Sequence, residues 1–97
     1  MKRGEVYEYP RFDRRLLIVS TQPLTDEGSA IVVEVGDEAP KGTQGMLAVE
    51  LGGQPPMSAF CWRVNYMRTD RLGARVGIVP PQVMEHVDMA LRTAMDL

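Results

Sequence analysis

The stretch "RVGIVPPQVMEHVDMALRTAMDL" (75–97) decides the fold, because it contains the change from a strand to a helix. Two prolines follow the short apolar strand "RVGIV" (75–79), and proline at the first helical positions is a start signal for a helix. Apolar residues then recur at spacings of three and four, with charged residues between them. These apolar residues are Val83, Val87, Ala90, Leu91, Ala94 and Met95. The stretch predicts one amphipathic helix over about 81–95.

Everything before this helix has the pattern of short strands separated by loops. Segments of apolar or alternating character are bounded by stretches rich in glycine, proline and acidic residues. The predicted strands are "EVYEY" (5–9), "RLLIVS" (15–20), "AIVVEV" (30–35), "MLAVEL" (46–51), "SAFCWRV" (58–64) and "RVGIV" (75–79). Short, evenly spaced strands with one terminal helix favour a mainly β fold, a small and strongly bent antiparallel barrel with a C-terminal α-helix.

Composition limits the possible classes of protein. The 97 residues, of which 44% are hydrophobic and 25% charged, are enough for one domain over 1–97. No apolar stretch approaches the roughly 18 to 20 residues that a membrane-spanning helix needs, and "MKRGEVYEY" (1–9) lacks the apolar region of a signal peptide. We therefore expect a cytoplasmic protein without membrane contact. One cysteine and one histidine are too few for a zinc site, so we expect no metal and no cofactor.

The charge balance excludes a protein that holds nucleic acid by bulk electrostatics. The formal net charge is -2 and the isoelectric point is near 5.3, whereas such proteins usually present a strongly basic face. Nine of the eleven basic residues are nevertheless arginine, whose planar fork matches phosphate and stacks on bases. A GC-rich genome would give the same bias. Any nucleic-acid site must be local.

Several segments, taken in order, resemble the MazF/PemK (Kid) toxins of type II toxin-antitoxin systems. They are "KRGEVY" (2–7), an arginine leading into "LLIVS" (16–20), "AIVV" (30–33), "RTDRLG" (68–73) and the terminal stretch from "VGIV" (76–79) onward. The resemblance covers nearly the whole chain. It implies an SH3-like barrel, a homodimer, metal-independent cleavage of single-stranded RNA including mRNA, and a cognate antitoxin whose flexible tail occupies the RNA groove.

The resemblance implies that Arg14, at the head of the second strand, is catalytic. Cleavage by attack of the 2′-hydroxyl needs a base, an acid, and a cation for the charge on the phosphorane, and arginine can supply the cation. Arg15 stands where the family prefers a proline. Neighbours on a strand point to opposite faces, so only one of the two arginines is expected to face a scissile phosphate.

Two positions depart from the family pattern. Gly36 stands where the family usually carries threonine or serine at the end of the third strand, and Trp62 and Arg63 stand where several members carry an acidic residue. Whether the chain is an active ribonuclease is therefore open. The candidate RNA-binding residues, which could stack on bases or contact phosphates, are Arg15, Trp62, Arg63, Arg68 and Thr69.

Some of these candidates also have a purely structural interpretation. Trp62 would be a core residue and Thr69 a turn residue. Asp13 or Asp70 is a candidate base, although a carboxylate beside arginines is more often a partner in an ion pair. His86 is expected on the surface of the terminal helix. Cys61 is expected to be a buried thiol in an apolar strand, and not a nucleophile.

Two other functions compete with the ribonuclease interpretation. The segment "VYEYPRFDRRLLIVS" (6–20), with its short first loop, also resembles CcdB, a related toxin that inhibits DNA gyrase. The chain ends in "MDL" (95–97), however, and not in the tryptophan-glycine-isoleucine tail of that family. The third interpretation is a catalytically silent MazF-like fold that only binds protein, which the two departures favour.

Overall fold

The computed structural model describes residues 1–37, 42, 44–53 and 56–96. Across these residues the chain forms six β-strands and two α-helices. In chain order they are β1 (Glu5–Tyr9), β2 (Arg14–Ile18), α1 (Gln22–Asp26), β3 (Ser29–Gly36), β4 (Ala48–Gly52), β5 (Met57–Arg68), β6 (Arg75–Ile78) and α2 (Pro81–Ala94). Short 3-10 turns occur at Pro10–Phe12, Gln44–Leu47 and Thr69–Arg71.

The strands form one antiparallel sheet in the order β4-β5-β3-β2-β1-β6. Strands β2 and β3 are central, which explains why both have nearly continuous apolar sequences: both of their faces are covered. Leu17 and Val33 are fully buried on one face, and Ile18 and Val32 are fully buried on the other.

Helix α2 covers the first face of the sheet. Its buried residues Met84, Val87 and Leu91 recur at spacings of three and four and pack against a core that includes Leu17 and Val33. The helix begins at Pro81 and ends at Ala94, within one residue of the bounds expected from the sequence. Its packing confirms that the terminal helix docks on the sheet through an apolar stripe.

A second, smaller core fills the opposite face. Tyr7, Leu16 and Ile18 pack there, together with Ala30 and Val32. Partly buried side chains complete this core, contributed by the ends of β1 and β5 and by the turn after β5: Tyr9, Met67 and Leu72. This second core lies on the face of the sheet opposite α2.

Strand β5 is longer than the sequence predicted and bends the sheet. The first residues of β5 pair with β4 on one side and with the end of β3 on the other. The last residues of β5 pair with the start of β3. The register shifts between Val33, which faces Val64, and Glu34, which faces Phe60, so residues 61–63 form a bulge. Bulges of this kind bend a strand and increase its twist.

The two edge strands of the sheet, β4 and β6, approach each other at one corner. Leu51, Met57, Gly77 and Ile78 line a common cavity of about 350 Å3 between them. The sheet is thus a curled half-barrel with a C-terminal helix, and the expected mainly β, SH3-like barrel is confirmed.

Two local features differ from expectation. The predicted loop at 21–29 contains the short helix α1, in which the Thr25 hydroxyl donates to the Gln22 carbonyl at 2.9 Å. The predicted strand at 46–51 begins later, at Ala48, after the 3-10 turn. The predicted loops at 36–45 and 52–56 lie partly outside the described residues. Among the described helices, none has the length and apolar character needed to cross a membrane.

Candidate functional site

A groove of about 490 Å3 opens on the sheet face opposite α2. It begins at the head of β2 and runs across β3 to the second half of β5. Its lining combines charged and apolar side chains: Tyr9, Phe12, Arg14, Leu16, Glu34, Arg63, Val64, Asn65 and Met67. An open groove with arginines and aromatic rings on its walls has the chemistry needed to hold a phosphate backbone and stack on bases.

Glu34 joins two arginines inside this groove. Its Oε2 accepts a hydrogen bond from Arg14 Nη1 at 3.1 Å, and its Oε1 accepts one from Arg63 Nη1, also at 3.1 Å. The Glu34 side chain is only 18% exposed, whereas those of Arg14 and Arg63 are 54% and 49% exposed. The carboxylate therefore lies at the base of the groove, with a half-exposed guanidinium on each side of it.

The strand register explains how these three residues meet. Glu34 lies opposite Leu16 on β2 and opposite Phe60 on β5. Arg14 lies two residues before Leu16, on the same face of β2. The bulge at 61–63 moves Arg63 onto the face of β5 from which it reaches Glu34.

Arg14 and Arg15 diverge, as strand alternation predicts. Arg15 forms an ion pair with Asp37 and lines the cavity between the edge strands. Arg14 points into the groove instead. Of the two adjacent arginines, only Arg14 lies in the groove.

Trp62 lies on the surface of the bulge and not in the core. Its ring is half-buried and stacks on Phe60, with centroids 5.2 Å apart and planes 27° apart. The Arg63 guanidinium lies 5.6 Å from the centre of the same Phe60 ring, a cation–π arrangement. Trp62 and Arg63, two of the residues predicted to bind RNA, are therefore brought together beside Phe60, which sequence reasoning had not selected.

Phe60 also explains the glycine at position 36. A Cβ atom placed on Gly36 would lie 2.5 Å from Phe60 Cε2, closer than real Cβ atoms approach another carbon. The side chain that the family resemblance leads one to expect at this position would fit only if the Phe60 ring moved.

Arg68 and Thr69 lie outside the groove. Arg68 is exposed, its Nε lies 3.4 Å from Asp70 Oδ2, and it pairs with Ser29 at the far end of β3. The Thr69 amide donates to the Gly28 carbonyl at 3.0 Å. Arg63 and Arg68 are five positions apart on the extended chain, or about 17 Å at roughly 3.3 Å per residue. The structure thus separates these two candidates from Arg14.

Of the other described side chains considered for catalysis, Cys61, Ser20, His86 and Asp13 do not line the groove. Cys61 is fully buried, and burial raises the pKa of its thiol to about 11, as expected for a structural thiol. The Ser20 hydroxyl is buried and accepts a hydrogen bond from the Ile31 amide at 3.1 Å. His86 is exposed on α2, on the opposite face of the sheet, and Asp13 occupies a left-handed turn position with φ of 50°.

Sequence reasoning missed Glu34. The signal was nevertheless present: Glu34 is the one polar residue in the otherwise apolar run "AIVVEV" (30–35), and a central strand with a single carboxylate needs a charged partner for it. The described residues contain no group of three or more histidine, cysteine or acidic side chains that could hold a metal ion.

Solved structures provide the comparison with known proteins. No family model matches the chain, and no curated protein matches it significantly. An endoribonuclease from a mycobacterial species aligns with a TM-score of 0.87 and 23% identity, over 100% of this chain and 92% of that one. An endoribonuclease in complex with its cognate antitoxin, also from a mycobacterial species, aligns with a TM-score of 0.85 and 22% identity, over 100% and 96% of the two chains.

A third structure extends this likeness to another genus. A MazE-MazF complex from Deinococcus radiodurans aligns with a TM-score of 0.81 and 14% identity, over 100% of this chain and 97% of that one. These alignments include every strand and the terminal helix. Their sequence identities are too low for the role of an individual residue to be transferred from those proteins to this chain. The chain therefore has the fold of the MazF toxins.

Proposed function

We propose that this protein is the toxin of a type II toxin-antitoxin system and that it cleaves single-stranded RNA, including mRNA, without a metal ion. The observation that carries the proposal is the pair of half-exposed guanidiniums, Arg14 and Arg63, held in an open groove by Glu34. The fold adds support, because similar structures are named endoribonucleases and MazF toxins.

Arg14 has the central role in this proposal. Attack of a 2′-hydroxyl on the adjacent phosphorus builds negative charge on the phosphate oxygens, and a fixed cation lowers the energy of that state. The Arg14 side chain is exposed enough to meet a phosphate, and its ion pair with Glu34 limits its motion. Tyr9 and Phe12 line the same groove and could stack on the bases that flank the phosphate.

The same proposal includes partners and a location. Two of the similar structures are complexes with an antitoxin, which supports a cognate antitoxin for this chain. Met46 and Met89 are exposed and line the same surface cavity beside α2, which supports a homodimer because contiguous apolar surface marks a protein interaction site. A cytoplasmic location, where mRNA is accessible, completes the proposal.

Cleavage of RNA by purified protein is the direct test. Wild-type protein, Arg14→Ala and Arg92→Ala are incubated with a panel of single-stranded RNAs in the presence of EDTA. Arg92→Ala is the matched control, because Arg92 is an exposed arginine on α2, on the opposite face of the sheet. We expect cleavage by wild type and Arg92→Ala, and a loss of about 100-fold or more in Arg14→Ala. Absence of cleavage by wild-type protein on all RNAs would overturn the enzymatic proposal.

A silent binding module is the second candidate, and the Gly36–Phe60 arrangement favours it. With Phe60 against Gly36, a hydroxyl-bearing side chain at position 36 would require the Phe60 ring to move. This candidate predicts binding of an antitoxin, or of RNA, without cleavage in the same assay. A gyrase supercoiling assay tests the CcdB-like interpretation: unchanged supercoiling at micromolar protein excludes it.

A further inference from the structure

We infer that Glu34 is the proton acceptor of the cleavage reaction and that Arg63 is a second ligand of the scissile phosphate. This inference rests on the proposed ribonuclease function; it adds Glu34, which the sequence pattern did not select, and gives Arg63, a candidate RNA-binding residue, a specific role. It starts from the arrangement Arg14–Glu34–Arg63, in which one carboxylate separates two cations.

Glu34 is the only acidic side chain among the described residues that line the groove. It lies on central strand β3 and is largely shielded from water. Placing a carboxylate there has a desolvation cost, which the two guanidiniums offset. A stable core alone would not need this charge, since the neighbouring positions Leu16 and Phe60 are apolar.

The two arginines keep donors for a ligand. A guanidinium carries five N–H donors, and the contact with Glu34 uses Nη1 of each arginine. Both side chains are about half exposed, so their remaining donors can reach solvent. A phosphodiester in the groove can therefore accept hydrogen bonds from Arg14 and Arg63 while Glu34 stays beside it.

Binding of a phosphate changes the surroundings of Glu34. The phosphate oxygens compete with the carboxylate for the same guanidinium donors, so the arginines that now bind both Glu34 oxygens are drawn toward the substrate. A Glu34 oxygen is then left free to accept a proton. Among the described residues that line the groove with Glu34, the charged or titratable groups are Arg14 on β2, Arg63 on β5 and Tyr9 at the end of β1.

The chemical step then balances as follows. The 2′-oxygen forms a bond to phosphorus as its proton passes to Glu34, and the bond between phosphorus and the 5′-oxygen breaks. The 5′-oxygen takes a proton from water, and Glu34 returns its proton to solvent. The products are a 2′,3′-cyclic phosphate and a 5′-hydroxyl. Arg14 and Arg63 hold the phosphate oxygens throughout, which replaces the function of a hydroxyl at position 36.

The experiment compares Glu34→Gln, Glu34→Asp and wild type. Glutamine keeps the size of the side chain and one acceptor oxygen but takes up no proton at neutral pH, whereas aspartate keeps the carboxylate. Glu50→Gln is the matched control, because Glu50 is an exposed glutamate on edge strand β4. Cleavage rates are measured from pH 4 to 9. Affinity is measured with an RNA that carries a 2′-deoxy nucleotide at the cleavage site mapped with wild type, and urea unfolding monitors the fold.

We expect Glu34→Gln to lose about 100-fold or more in rate while it binds the 2′-deoxy RNA as tightly as wild type or more tightly. We expect the cleavage rates of wild type and Glu34→Asp to fall toward the acid end of the pH range. The cleavage rate of Glu34→Gln should show no such fall. A Glu34→Gln rate within a few fold of wild type would overturn the inference, and so would a rate loss matched by an equal loss of affinity. If wild type cleaves no RNA, both this inference and the proposed function fail.

Discussion

The ring of Phe60 occupies the space next to Gly36, so the two residues depend on each other. Phe60 lies opposite Glu34 in the pairing of β3 and β5, and Gly36 lies two residues further along β3 on the same face. A Cβ atom on Gly36 would come within 2.5 Å of the ring. The glycine at the end of β3 is therefore a packing requirement set by an aromatic residue on the next strand.

Gly36→Ala should destabilise the protein by about 1–3 kcal/mol, the usual cost of overpacking. In a Phe60→Ala background the added methyl group meets no ring, so the same substitution should cost much less. The coupling free energy in a double-mutant cycle should be about 0.5–3 kcal/mol. Urea unfolding of the four proteins measures it.

Gly77→Ala is the control for this cycle. A Cβ atom on Gly77 would lie 3.5 Å from the end of the Met57 side chain, which is an ordinary van der Waals distance, so we expect little change in stability. Additive effects of Gly36→Ala and Phe60→Ala would show that the ring does not restrict position 36.

The fold was predictable because its signals are local. The change from strand to helical periodicity after Val79 and the two prolines at 80 and 81 identify α2 from the sequence, and all six strands were found. The bulge at residues 61–63 was not found, because it depends on the pairing of β5 with two different strands. A pattern of single residues carries no information about such a register shift.

The site was only partly predictable for the same reason. Arg14 was proposed from the family resemblance, which places an arginine at the head of β2, and its separation from Arg15 followed from strand alternation. Glu34 was overlooked, because its role emerges only when β2, β3 and β5 place three side chains together. The absence of a hydroxyl at Gly36 was seen in the sequence, but its cause, Phe60, lies 24 positions further along the chain.

The salt dependence of RNA binding should depend on Arg14 and Arg63. Each contact that neutralises a phosphate of single-stranded nucleic acid contributes a slope of about -0.7 to the logarithm of affinity against the logarithm of salt concentration. We therefore expect Arg14→Ala and Arg63→Ala each to make the slope shallower by about 0.7. Fluorescence anisotropy with a 2′-deoxy-substituted, uncleavable RNA measures these slopes.

Arg92→Ala and Arg68→Ala are the two comparison variants in this experiment. Arg92 on α2 should leave the slope unchanged. Arg68 tests how far the RNA extends beyond the groove, since it lies about 17 Å from Arg63 along β5 at roughly 3.3 Å per residue. Equal slopes for Arg14→Ala, Arg63→Ala and wild type would contradict the assignment of these two arginines to phosphates.

Cys61 should react slowly with alkylating reagents in the folded protein. The thiolate is the reactive form, and the pKa of about 11 leaves only a very small thiolate fraction at pH 8. The side chain is also completely covered. We expect iodoacetamide to label Cys61 at least about 100-fold more slowly in buffer than in 8 M urea, as followed by mass spectrometry. Rapid labelling in buffer would show that the core around β5 opens readily.

Glu5 forms a second buried carboxylate site, distinct from Glu34. Its Oε1 accepts hydrogen bonds from the Lys2 amide at 2.6 Å and the Tyr7 hydroxyl at 3.0 Å, and its Oε2 accepts one from Arg75 at 2.7 Å. Burial by itself would raise the pKa of Glu5. The hydrogen bonds from Arg75, Lys2 and Tyr7 outweigh burial, and the pKa of Glu5 therefore lies below its ordinary value of 4.5.

The lowered pKa of Glu5 makes a prediction about stability against pH. A carboxyl group with a lower pKa in the folded state stabilises the fold above its unfolded pKa, and this stabilisation is lost as pH falls through the folded value. Glu5→Gln should therefore cost about 1–3 kcal/mol at pH 7, and this difference from wild type should shrink steadily below pH 4.5. Glu8→Gln, on the exposed side of the same strand, should show little difference from wild type across the range. Urea unfolding at a series of pH values measures the free energy of unfolding of both variants. If the difference between Glu5→Gln and wild type stays constant down to pH 2.5, the ionised carboxylate does not stabilise the link between β1 and β6.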